Sequence, residues 1–560
     1  MSFEVKKRFF TMALISAMMI MISSPVILVA GVEIPSKLNI GPYVDRVIYQ
    51  MIDNPVLSLQ SGYIDLISGQ IGSSQVPILA EDPDISITST VRNGYGHLTI
   101  NCGKYPLNIS ALRRAFAFAF DKTRVTSEVL HGDAREHDSV VPWPNSWCIE
   151  DQLPYHYYTA QVDVGNKLLN DTGFTFDSIT GHRLAPDGSE FNIVLEYPSN
   201  SVGIGVIQVA LDALRALHIN ADSRAADFYD VQNRLDSHSD YDIVMYATNF
   251  ITNDVDWLAY EYWSELADTP YRNPTRFSNA TFDSWRDQLL HTTNYTEVYE
   301  AAKAMQLILH ENVPRLIVYE NLYMQAYRND VFTGHVQDLG RYIASQWTMR
   351  KIHKIDGTRG GTVRIAIAEP ETFNIFLYET LYSSEILINI WPSLYSQAPD
   401  LNPWPYIAEN MLLETHADNP IIQEGHTRFT IDIIQNATWS DGTPLTADDV
   451  AFTFTYLLES MSYGNPKSFE LVDIMAAYSP TPYRVIIEFK TESLWHFSNF
   501  AYVKIIPKHI FNDEDGIGYS AWNIWNPVFD PTQPYVTSGP FELTDWVNGE
   551  FYELSANPAF

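Results

Sequence analysis

Cysteine is almost absent from this chain: Cys102 and Cys148 are the only two in 560 residues. So small a number excludes a disulfide scaffold and any multi-cysteine zinc module, and leaves a single Cys102–Cys148 bridge open for an oxidising compartment. Basic residues are scarce as well. Lys and Arg number 35 against 68 Asp and Glu, a formal net charge of −33, and Lys6-Lys7-Arg8 is the one basic run. Against that background no surface neutralises phosphates, which excludes nucleic acid as a partner. Catalytic signatures are missing too: there is no H-E-x-x-H and no G-x-S-x-G. Gly96 to Lys104 only superficially suggests a phosphate loop, because Gly103 follows Gly96 too late and Tyr105 stands where Ser or Thr is required. Asn512-Asp513-Glu514-Asp515-Gly516 lacks the distal glutamate of a calcium loop and reads as a surface turn. The expectation is a protein with no catalytic residues, no metal and no cofactor.

What the chain does have begins with one long apolar run. Phe9 to Ala30 follows Lys6-Lys7-Arg8, so residues 1–31 read as a signal peptide or an N-terminal membrane anchor. No second run of that length follows, which places the rest outside the cytoplasm, secreted or held on the outer face of the membrane. Five sequons, at Asn108, Asn170, Asn279, Asn294 and Asn436, are candidate N-glycosylation sites compatible with export. The length suggests two or three lobes rather than one core. Thirteen Trp and 33 Tyr suit a cleft that stacks on an organic ligand.

One stretch has especially clear local physics: Trp439-Ser440-Asp441-Gly442-Thr443-Pro444-Leu445-Thr446-Ala447-Asp448-Asp449-Val450. Asp441-Gly442 is a turn pair, Thr446 fits an N-cap, and Asp449 fits the acidic partner of a capping box. Val450, Phe454, Leu457 and Leu458 then mark one apolar face, which predicts a helix from about Ala447. The polar residues are explained by turn and cap, so none is assigned to a ligand.

This stretch resembles the signature of the extracytoplasmic solute-binding proteins of the peptide/nickel class, family 5, partners of ABC importers. Other segments resemble the same family. Arg113 to Asp121 is similar to its "R-x-A-l-x-x-A-i-D" helix, and Lys167 to Phe174 to a helix end closed by Gly173. Val313 to Tyr319, Gly361 to Ala366, Pro405 to Glu409, Ile506 to Ile510 and Ser538 to Phe541 match further motifs, although Ile375 replaces a family proline. The order is swapped: the family's second part comes first and its first part second. A circular permutant is expected, with a tandem-array fragment or a gene-boundary error as alternatives.

The resemblance implies an α/β, two-lobed periplasmic-binding fold (type II, cluster C) of mixed sheets flanked by helices, with an extra small domain. Lobe I would comprise 33–95, 336–385 and 490–560. Lobe II would be 96–335, the small domain 386–489, and 340–361 a linker joining the family's usual termini. Glu33 and Asn557 would then lie close together. It also implies capture of a peptide or oligosaccharide in the interlobe cleft, delivery to ABC permease subunits, and membrane contact through the N-terminal segment. Pocket candidates are Tyr246, Thr248, Asn249, Phe250 and Trp257, with Tyr378 and Glu379 opposite. Peptide-binding members carry Gly-Trp and then an aspartate after the strand equivalent to Tyr241–Met245. Here Gly-Trp is missing, Asp254 comes late, and no arginine precedes, which shifts expectation towards a neutral ligand. The alternative function is a cell-surface structural or adhesion protein that keeps the fold without transport.

Overall fold

The computed structural model describes residues 40–560 apart from Ser73, Ser239 and Ala559. The apolar run within 1–31, and Glu33, lie outside the described residues. Among those described, no helix is long and apolar enough to cross a membrane.

Strands β1 (Arg46–Met51), β2 (Leu66–Ile67), β3 (Ile85–Val91), β4 (Gly94–Ile100), β5 (Ala134–Glu136), β6 (Ile193–Pro198), β7 (Ala221–Ala226), β8 (Ile243–Asn249) and β9 (Arg315–Arg328) come from the first part of the chain. A short ladder, β10 (Phe332–Thr333) with β11 (His353–Lys354), precedes β12 (Thr362–Ile367). Then follow β13 (Tyr395–Gln397), β14 (Pro403–Pro405), β15 (Ala408–Thr415), β16 (Thr427–Ile433), β17 (Ile474–Thr481), β18 (Arg484–Phe489), β19 (Phe541–Val547) and β20 (Phe551–Ala556). The major sheet runs β19-β20-β1-β12-β2-β9-β4-β8-β6-β7, with β3 and β5 also on β9.

That order interleaves the two parts of the chain. β1 lies parallel to β12, with Arg46 opposite Thr362, and antiparallel to β20, with Arg46 opposite Ser555. Val47 and Tyr49 on one face of β1 are fully buried, as alternation requires of a central strand. β9 is the long element of the sheet. Its first residues pair with β4, its middle with β5, and Leu322 to Arg328 with β3. One continuous strand therefore serves two cores. The first lies under the helices Ser110–Ala119 and Ser201–Ala216, around Leu98, Phe116, Leu195 and Leu214. The second gathers Val47, Ile365, Trp391, Ile431, Trp439 and Leu554 into one cluster.

The four-stranded antiparallel sheet β15-β16-β18-β17 is covered by the helix Ala447–Ser460. This helix starts as its sequence predicts. Gly442 adopts φ +87°, the turn closes with the Trp439 amide donating to the Thr443 carbonyl at 2.8 Å, and Asp449 Oδ2 accepts the Thr446 amide at 2.9 Å. Val450, Phe454 and Leu457 are buried, each contributing about 1.5–3 kcal/mol.

One expectation needs correction, and one possibility left open is decided. Residues 341–350 of the presumed linker are buried: Trp347 Nε1 donates to the Gln397 carbonyl at 2.9 Å and Gln346 Nε2 to Ser396 Oγ at 3.0 Å, docking the helix Gln346–Lys351 on β13. Only Ile355 to Arg359 form an exposed join. The Cys102–Cys148 bridge is not formed. Both thiols are free and sit on separate loops, one just past β4 and one in the turn before Glu150. Burial raises their pKa values to about 11 and about 12.

Candidate functional site

A cavity of about 290 Å³ opens between the loop after β8 and the opposing face formed by the second part of the chain. The loop contributes Ile251, Thr252, Asp254, Asp256 and Trp257. β8 ends at Asn249, and the short helix Leu258–Glu261 begins just beyond Trp257, so the intervening backbone is held at both ends. The opposing wall includes Arg341, Tyr378, Tyr395, Lys467, Tyr502 and Lys504.

The loop wall of this cavity carries two acids, and the opposing wall carries Arg341, Lys467 and Lys504 together with Glu470. Asp254 has a neutral partner in Ser498, and Asp256 Oδ2 accepts from Asn499 Nδ2 at 3.2 Å. Burial pushes both carboxyls up, and Asp254 and Glu470 push Asp256 further. Lys504 sits among charges of its own sign. Burial, with Arg341 and Arg350 nearby, brings its amine down to about 7. Arg341 is only 2% exposed; one guanidinium nitrogen donates to Ser384 Oγ at 3.2 Å while its Nε lacks a partner. Among the described residues, no ion pair joins Asp254 or Asp256 to any cation, or Arg341 or Lys504 to any carboxylate. A desolvated charge without a counter-charge is costly, and such groups on a cavity wall are matched when a ligand supplies the opposite sign.

The residues expected from sequence divide. Trp257 and Tyr378 line the cavity. Phe250 stands behind Trp257, ring centroids 4.8 Å apart. Glu379 pairs with the cavity residue Lys467 at 2.8 Å, and the Lys467 amine lies 5.2 Å from the centre of the Tyr378 ring. Tyr246 stacks on Phe228 at 5.5 Å, and the Thr248 hydroxyl meets His97 Nε2 at 2.9 Å. Asn249 Oδ1 accepts from Arg92 Nε at 2.6 Å and from the Tyr342 hydroxyl at 3.1 Å, and the Tyr342 ring stacks on Tyr323 of β9 at 3.8 Å. Asn249 thus ties β8 to the long strand rather than facing the cavity.

Asp256, Arg341 and Lys504 escape the sequence reading. Lys504 sits alone in the apolar run Ala501 to Pro507, and that isolation was the available signal for a buried charge. Asp254 and Asp256 flank Val255 beside an aromatic residue. Arg341 lay in a stretch assigned to a linker.

A second polar cluster has metal-ligating residue types: His137, Cys148 and Glu150, with Asp138 and His156 adjoining. Protein donors already occupy its acids. Glu150 accepts the Asp138 amide at 2.9 and 3.0 Å, the Ser139 amide at 2.6 Å and the Tyr158 hydroxyl at 2.6 Å. Asp138 accepts Lys122 Nζ, His156 Nδ1 and the Tyr157 amide. This network braces the 137–158 loop. The sequon residues Asn279 and Asn294 have structural roles, each capping the helix that follows.

The family described as "Bacterial extracellular solute-binding proteins, family 5 Middle" matches residues 40–269 and 414–560, more than half of the chain and in two segments. The peptide transport periplasmic protein SapA of Salmonella typhimurium is 25% identical over 260 residues, 46% of this chain and 45% of that protein. The oligopeptide-binding protein AppA of Bacillus subtilis is 26% identical over 202 residues, 36% and 34%. The chain therefore spans less than half the length of these relatives. Among solved structures, AppA in complex with a nonapeptide gives a TM-score of 0.48 at 14% identity, covering 53% of this chain and 57% of that one. The mannohexaose-bound oligopeptide-binding protein of Thermotoga maritima gives 0.46 at 17%, covering 54% and 60%. Mixed sheets flanked by helices agree with the expected α/β class, and the family is one of binding proteins rather than enzymes. By the extent of the matched segments, the chain belongs to the bacterial extracellular solute-binding proteins, family 5.

Proposed function

We propose that this chain captures a short zwitterionic peptide outside the cytoplasm and delivers it to the membrane subunits of an ABC importer. The observation that carries this reading is the charge of the cavity left without ion pairs among the described residues: Asp254 and Asp256 on one wall, Arg341 and Lys504 on the other, with Asp338 and Glu385 acting on Arg341 only from beyond ion-pair distance. A free ammonium and a free carboxylate on one ligand supply both missing charges. The volume, about 290 Å³, lies at the low end of the roughly 300–1,000 Å³ typical of small-ligand sites and favours a peptide of few residues. Trp257, Tyr378, Tyr395 and Tyr502 supply apolar walls for its side chains. An oligosaccharide would leave both charge sets desolvated and unmatched, which disfavours the neutral ligand.

Thermal melting tests this against Ala-Ala, its N-acetylated and C-amidated analogue, and mannohexaose. A ligand at one hundred times its Kd stabilises the native state by about 2.7 kcal/mol. Ala-Ala is expected to raise the melting temperature and the doubly blocked analogue to leave it unchanged. A rise with mannohexaose and none with Ala-Ala overturns the reading. No rise with any solute favours a structural surface protein.

The interleaving of β1 between β12 and β20 supports the permuted order within one chain. So does the contact of the Ala556 amide with the Asp45 carbonyl at 2.8 Å. Light scattering on the purified chain is expected to give a monomer; an obligate dimer would favour halves that pair between copies. The lobes at 33–95, 336–385 and 490–560 and at 96–335, the small domain at 386–489, and attachment through residues 1–31 belong to the same proposal.

A further inference from the structure

Two acids face the cavity from one short loop where a single ligand ammonium would satisfy only one. Asp254 and Asp256 are two residues apart, both line the cavity, and Glu470 adds a third carboxylate from the opposing wall. The protein offers Asp254 and Asp256 only the neutral donors Ser498 and Asn499. Arg272 approaches Glu470 at 4.0 Å, and Lys467 is taken by Glu379 at 2.8 Å. Trp257, whose ring is backed by Phe250, follows Asp256 directly on the same cavity wall, and an indole face attracts cations. The cavity shows a second mark of a charged ligand in Arg341, which is 2% exposed with an unpartnered Nε.

Accepting one α-ammonium would leave the second acid of this loop without a cation beside it, which costs free energy unless a proton or a second cation offsets it. A basic side chain on the first residue of the ligand brings that second cation to within a few ångströms of the α-ammonium. We infer that the preferred ligand is a short peptide whose amino-terminal residue is basic, its α-ammonium and side-chain cation being shared between Asp254 and Asp256 against the face of Trp257. This inference rests on the zwitterionic-peptide reading above and narrows it. Burial and mutual repulsion favour a retained proton on the empty pair, so a dication should displace more of that proton than a monocation does.

Titration calorimetry at pH 7 with Lys-Ala, Ala-Lys, Ala-Ala and Glu-Ala, run in two buffers of different ionisation enthalpy, tests it. Lys-Ala is expected to bind at least about tenfold more tightly than Ala-Ala and than Ala-Lys, and to release more protons. Asp256→Asn and Asp254→Asn, each checked for a cooperative melt, are expected to bring Lys-Ala down towards Ala-Ala. Equal affinity for Lys-Ala and Ala-Ala overturns this inference alone, as does a Lys-Ala advantage that survives both substitutions. Failure of every dipeptide to bind overturns it together with the zwitterionic reading.

Discussion

Asp441, Asp448 and Asp449 sit in one turn and helix start, and each has a strong donor. His509 Nε2 meets Asp441 at 2.7 Å, Lys508 Nζ meets Asp448 at 2.8 Å, and the Thr446 and Lys508 amides meet the two oxygens of Asp449 at 2.9 and 3.0 Å. The Lys508 amine and the Ser479 hydroxyl hold Asp448 below the usual carboxylate range. Asp254 and Asp256 form an equally tight group on a loop, yet their donors are neutral and burial drives their pKa values up. The same side chain is scaffold in the first region and lines a cavity in the second, where the proposed function makes it a binding surface. What separates them is that Asp441 and Asp448 each have a basic side chain of the protein beside them and Asp449 has two backbone amides, whereas Asp254 and Asp256 have one neutral side-chain donor each.

Substitutions in the two regions should therefore move different observables. The largest effect belongs to Trp439→Ala. Trp439 is 1% exposed in the core beneath the capped helix, and its removal is expected to cost about 3–5 kcal/mol in urea unfolding. Dipeptide affinity of the folded fraction should stay within about a factor of two. Arg341→Met comes next. Its expected signature is a loss of roughly tenfold to a hundredfold in affinity for a zwitterionic dipeptide by calorimetry, with little loss of unfolding free energy. A scaffold role for Arg341 would reverse that pattern.

Asp256→Asn probes the same contrast through pH. A carboxyl whose folded pKa is raised binds more protons in the native state than in the unfolded one, between the unfolded value near 4 and the raised folded value. Wild-type stability then falls as pH climbs through that window. The Asn variant, without ligand, should match the wild type near pH 4 and become increasingly the more stable of the two towards pH 8. Asp449→Asn should instead destabilise at neutral pH, because it removes a carboxylate that serves two amides.

Much of the scaffold was legible because its causes are local. Gly442, Thr446 and Asp449 act within one turn and cap, and the Leu112, Ala115, Phe116 and Ala119 face of the helix Ser110–Ala119 is buried as its spacing requires. The cavity was less legible because its charges come from distant parts of the chain. Trp257 and Tyr378, expected as aromatics near a cleft, line the cavity. Arg341, Asp256 and Lys504 carry no periodic or motif signal, and each is defined by the partner it lacks, which only the fold reveals. Asn249 shows the converse: a polar residue in the expected segment was claimed by Arg92 and Tyr342.

The smallest effect concerns a charge pair between these extremes. His291, the C-cap of the helix Ala280–Leu290, places Nε2 3.3 Å from Asp473, which immediately precedes β17. Asp287 lies 3.6 Å from its Nδ1, Lys490 stands 3.7 Å from Asp473, and Arg286 is the neighbouring cation. The hydrogen bond to Asp473 raises the His291 pKa above its ordinary value against the opposing effect of burial. The pair's contribution is therefore complete below about pH 6.5 and fades as pH rises through the raised folded value. With a third of the side chain exposed, the whole effect is a few tenths of a kcal/mol, up to about 1. Unfolding free energies taken from pH 5.5 to pH 8.5 should show His291→Gln losing to the wild type at the acid end and converging with it at the alkaline end. High salt should shrink the difference. A difference that persists at pH 8.5 would mean that His291 acts through packing, and the distinction between paired and unpaired charge would not extend to it.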